Sequence, residues 1–140
     1  MKNFEAHRLL TDGEFKDQFQ NGTFQPTGFI HEAHLRLAWI YIHQYGIDRA
    51  VEQVRLQLQK FGALHGASDK YNETVTTASI KAVYHFMLRS QAQNFNDFIA
   101  ENQGLKYSLK ELLLMHYDTN IFADAKAKQE FLEPELLPFD

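Results

Sequence analysis

Apolar positions recur at helical spacing along this chain, most continuously from Phe29 to Tyr45, FIHEAHLRLAWIYIHQY. Ile30, His34, Leu37, Ala38, Tyr41 and Tyr45 form one stripe, and Leu35, Trp39 and Ile42 form a second beside it. Two adjacent stripes predict a central helix, from about Gly28 to Tyr45, contacted by neighbours on more than one side. Glu32, Arg36, His43 and Gln44 fall nearer its remaining, polar side.

The same pattern places the other elements. Thr11 or Asp12 followed by Glu14 marks a helix start, with Phe15 and Phe19 one turn apart, and Asn21-Gly22 ends that helix. Gln25 to Gly28 is a loop in which Thr27 is placed to cap the central helix. Gly46 suits the position just past a helix end. Asp48 is placed to cap a third helix reaching about Leu64, with Ala50, Val54, Leu58 and Phe61 on its apolar face. A fourth helix, starting between Ser68 and Tyr71, runs to Arg89. Its β-branched run, Thr74 to Thr77, favours a strand locally, but the helical period over the whole segment outweighs that propensity. Shorter helices are expected over Asn94 to Asn102, over Ser108 to Tyr117, capped by Ser108 with Glu111 three residues on, and over part of Ile121 to Phe131, before an extended tail, EPELLPFD. The fold expected is all-α, a single compact helical bundle with an antiparallel three-helix core and short flanking helices.

Topology then points to one end of that bundle. The long helices are joined by Gly46-Ile47 and by His65 to Asp69, and links this short favour antiparallel neighbours. The starts of the second and fourth helices, and the end of the third, should therefore meet. His31, His34, His65, Lys70, Tyr71, Asn72, Glu73 and Thr76 would gather there. Two helix N-termini pointing the same way favour an anion and disfavour protonated imidazole.

Composition narrows the classes. The 140 residues suit one domain, and 44% hydrophobic residues with 12 Phe supply a core. A net charge of −4 without a Lys/Arg cluster speaks against nucleic-acid binding. The absence of cysteine excludes disulfides, thiolate catalysis and Cys-type zinc sites. No signal-peptide pattern or membrane-spanning run is seen, so a soluble, cytoplasmic protein is expected.

Two chemistries could use the gathered residues. One is a divalent metal site of His31, His34 and Glu73, with His65 as a possible fourth ligand, since two histidines and a carboxylate suit iron, zinc or manganese. The pair does not form HExxH, because His34 comes one residue too early, and no Glu-x-x-His of the di-iron bundles occurs. The other is a metal-free small-molecule pocket. There His34 or His31 would act as base, Tyr71 or Lys70 would donate to an oxyanion, and Trp39, if not in the core, would form a wall. Against both stands a structural role, in which His34 hydrogen-bonds Tyr71 or Glu73 and locks two helices together. No nucleophile elbow or phosphate loop is present. The C-terminal aromatics, among them Phe95, Phe98, Tyr107, Tyr117 and Phe122, would cover the open end of the core or form a partner surface.

His31-x-x-His34-Leu35 with Ala38-Trp39, followed by Lys70-Tyr71-x-Glu73-Thr74-x-Thr76, resembles a family of small bacterial all-helical proteins without an assigned activity. The resemblance runs from about Phe15 to Phe131 and implies a helical fold, but no reaction. The family pattern has histidine where this chain has Asn72, so a metal site built from those residues in relatives would lack a ligand here. The function expected is binding of a small molecule or metal ion at the His/Tyr/Glu cluster. The alternative is a non-catalytic interaction module in which the cluster is a structural hydrogen-bond network.

Overall fold

The computed structural model describes residues 6–140. Its α-helices are α1 (Asp12–Gln20), α2 (His31–Tyr45), α3 (Ile47–Leu64), α4 (Glu73–Met87), α5 (Phe95–Glu101), α6 (Gln103–Tyr107), α7 (Leu109–Leu114) and α8 (Ala125–Gln129). Tight 3-10 turns lie at Ala6–Leu9, Pro26–Gly28 and Ser68–Lys70, and no strand occurs among the described residues. The all-α bundle is therefore as expected.

α2, α3 and α4 pack on one another and form the centre of the molecule. Gly46 makes the α2–α3 joint: it ends one helix and caps the next, with φ 81° and ψ 170°. That combination is open almost only to glycine, so the chain reverses without a linker. The β-branched Thr74–Thr77 segment is helical, and Asn72 caps it by accepting a hydrogen bond from the Val75 N–H at 3.0 Å. α1 begins with the expected capping box, in which Thr11 and Glu14 satisfy each other's backbone N–H groups. Its Phe15 and Phe19 are fully buried.

α2 is more enclosed than its pattern indicates. Every residue from Leu35 to Ile42 is buried, and so are Glu32 and Arg36, which the periodicity assigned to a polar side. The physical reason is that each meets charged partners from distant segments. Glu32 receives hydrogen bonds from Arg8 (2.6 and 2.8 Å) and Lys106 (2.9 Å), and His7 Nε2 lies 2.7 Å away. Arg36 donates to Asp12 and to the carbonyls of His7 and Leu10. The Ala6–Leu9 turn is thus fastened to α2 through charge, and its His7 is wholly buried.

Three capping expectations are corrected. Thr27 lies in the Pro26–Gly28 turn, and α2 is preceded by Ile30, which provides no side-chain cap. Gly46 rather than Asp48 occupies the cap of α3, and Ser108 precedes α7 without a side-chain bond.

Candidate functional site

The first turns of α2 and α4 and the last turn of α3 surround one cavity of about 930 Å³. α6, α7 and Phe122 line another side, and the cavity is open to solvent at its margin. Its inner surface is made by buried apolar side chains, including Leu35, Ala38, Val54, Phe61 and Val83. Its exposed margin carries Lys70, Tyr107, Lys110, Glu111 and Phe122.

Seven of the eight residues singled out from the sequence line this cavity: His31, His34, His65, Lys70, Tyr71, Asn72 and Thr76. Glu73 does not. Its carboxylate accepts a hydrogen bond from the Tyr71 hydroxyl (Oε1, 2.6 Å) and pairs with Arg55 of α3 (Oε2, 2.5 Å). The trio His31, His34 and Glu73 therefore does not converge, and no group of three or more His, Cys, Asp or Glu able to hold a metal ion occurs among the described residues. His65, the proposed fourth ligand, also lines the cavity, but its Nε2 donates to the Gly22 carbonyl at 3.2 Å.

The same bonds settle what several side chains do. Tyr71 has its proton directed at Glu73, which leaves none for an oxyanion; burial, and then that hydrogen bond, raise its pKa. Asn72 spends its oxygen on the cap and its amide nitrogen on the Ile121 carbonyl (3.0 Å), so it ties α4 to the segment before α8. Lys70 is exposed at the cavity margin. Trp39 is buried, stacks on His43 and takes no part in the cavity wall.

His34 is different. Its Nδ1 donates to the Ile30 carbonyl at 2.9 Å, and its ring stacks on Phe29 with centroids 3.8 Å apart. A neutral imidazole that donates through Nδ1 has an unprotonated Nε2. That nitrogen has no partner among the described residues. The ring lines the cavity and keeps an exposed surface. Desolvation by the protein around it, with a smaller contribution from His31, brings its pKa down to about 4 despite the bond to Ile30, which acts the other way. Desolvation is the main cause of that shift, and it favours the neutral imidazole at neutral pH. His31 is held by another carbonyl, with Nε2 donating to Leu105 O at 2.9 Å, so in the neutral ring Nδ1 is the acceptor.

Lys106, Lys110, Tyr107, Glu111 and Phe122 complete the wall, and the sequence assigned none of them to the site. The surplus of C-terminal aromatics was a signal for Tyr107 and Phe122. For the lysines there was none, because their approach depends on how α6 and α7 fold back onto α2.

Compared with protein-family models, curated proteins and solved structures, the chain matches none.

Proposed function

We propose that this protein binds a small organic molecule in the cavity bounded by the starts of α2 and α4. The observation that carries the reading is the unpartnered His34 Nε2 on the wall of a largely apolar cavity of about 930 Å³. Ligand sites have volumes of about 300–1,000 Å³, apolar walls and a few well-placed polar groups. In this reading His34 accepts a hydrogen bond from a hydroxyl or N–H of the ligand, and His31 Nδ1 offers a second acceptor. Tyr71, Glu73, Arg55 and Asn72 hold the surrounding helices in place. A bacterial, cytoplasmic setting belongs to the same proposal; the chain has no cysteine, and no described helix is long and apolar enough to cross a membrane.

The test uses a neutral fluorescent probe with an N–H donor, N-phenyl-1-naphthylamine. One molecule should bind per chain, and Ser79→Trp, which fills the cavity from α4, should abolish binding while leaving the melting temperature within a few degrees of wild type. His34→Ala should weaken the probe more than it lowers thermal stability. Unchanged binding in Ser79→Trp, or a His34→Ala variant that only melts earlier, would return the cluster to a purely structural role.

A further inference from the structure

We infer that the cavity takes an amphipathic organic acid, a molecule with an apolar chain or ring body and a single negative charge at one end. This rests on the reading of the cavity as a binding site and adds the chemical class of its occupant.

Charge on the wall runs against the chain as a whole. The protein has 18 acidic and 14 basic residues, yet the cavity is lined by three lysines, Lys70, Lys106 and Lys110, and one carboxylate, Glu111. Glu73 lies beside the cavity but is matched by Arg55. Lys106 is matched by Glu32, 2.9 Å away. Left over are the carboxylate of Glu111 and two cations, a balance of one positive charge: Lys70, from the turn before α4, and Lys110, from α7, whose amine sits 5.5 Å from the centroid of the Phe122 ring. Neither has a carboxylate partner among the described residues. They come from segments forty positions apart, so the fold and not a local charge run brings them to one margin. The N-terminus of α2, without a side-chain cap, adds potential of the same sign.

Depth decides the rest of the molecule. Leu35, Ala38, Val54 and Val83 present no charge, and a second ionised group placed among them would lose its hydration without a partner. His34 donates through Nδ1 to Ile30 and its pKa is lowered, so its Nε2 offers an acceptor and no counter-charge. Dicarboxylates and polyphosphates are thereby disfavoured, and an acid with one charged end is favoured.

Three probes with the same tail and different heads test this by calorimetry on the intact chain at neutral pH: decanoate, decanol and decylamine. Decanoate should bind about tenfold tighter than decanol, the size expected of one partly desolvated charge pair, with decylamine weakest. In the double variant Lys70→Gln, Lys110→Gln, that advantage should shrink to about twofold, while decanol binds as before. Both lysines are exposed, so the variant should fold. Decanol binding as tightly as decanoate, decylamine binding tightest, or a decanoate preference that survives the double substitution overturns the acid assignment and leaves the cavity reading intact. Binding of none of the three overturns both.

Discussion

Lys106 Nζ donates to the Glu32 carboxylate at 2.9 Å, joining α6, a wall of the cavity, to the first turn of α2. Glu32 is shielded completely from solvent, with Arg8 and Lys106 paired to its carboxylate. Removing its charge strands a buried histidine and two cations. Glu32→Gln is expected to destabilise the fold by about 3 kcal/mol, as breaking buried pairs generally does. Lys106→Met leaves Arg8 and His7 on the carboxylate and should lower stability by only about 1 kcal/mol. Urea denaturation of the two variants checks both the size and the order.

Acid should weaken the protein in two stages. His34 takes a proton near its ordinary pKa of 6.5 in the unfolded chain but only at about 4 in the fold. Between those values the unfolded state binds more protons, so stability falls as pH drops from 6.5 to 4. Burial alone would raise the pKa of Glu32; hydrogen bonds from Arg8, Lys106 and His7 outweigh it and bring the group from 4.5 to about 2. Its contribution is complete above 4.5 and disappears as pH falls through about 2. Urea midpoints measured across pH should show both declines. His34→Gln should flatten the upper one and Glu32→Gln the lower one; an unchanged profile in either variant removes that group from the account.

Features carried by local spacing were legible in the sequence. The Thr11–Glu14 capping box, the Phe15/Phe19 pair and the helical reading of Thr74–Thr77 depend on residues a few positions apart. The meeting of α2 and α4 at one end followed from short links, which constrain direction whatever the side chains are. Burial of Glu32 and Arg36 was not legible, because charged residues are normally exposed unless a partner arrives, and here Arg8, Asp12 and Lys106 arrive from both sides in sequence. Glu73 shows the same limit at the site. Its position brought it to the correct end, but Arg55, in the middle of α3, and Tyr71 turned it to other work.

The α2–α3 joint should tolerate almost no side chain. A Cβ added at Gly46 would meet only open space, so crowding is absent and the strain is purely in the backbone, with φ at 81° and ψ at 170°. Gly46→Ala is expected to lower stability by about 1–3 kcal/mol, the range for residues forced into such conformations. Because the joint sets the angle between α2 and α3, the variant should also weaken probe binding in the cavity. Thermal unfolding gives the first quantity and titration with N-phenyl-1-naphthylamine the second.

The tautomer of His34 is the most direct readout of the proposed binding role. Donation from Nδ1 to Ile30 O fixes the proton on that nitrogen, leaving Nε2 to accept. Nitrogen-15 spectra of labelled histidine should therefore show a neutral Nδ1–H ring for His34, titrating at about 4. A ligand hydrogen bond should move the Nε2 resonance and leave Nδ1 nearly unmoved. Since the ring carries no charge in the range where the fold is intact and neutral, affinity for a neutral probe should be constant from about pH 8 to pH 5. It should fall below that, as protonation of Nε2 converts the acceptor into a donor. An affinity that instead changes near pH 6.5 would mean that His34 is solvated like an ordinary surface histidine, and its role as the ligand's acceptor would fall.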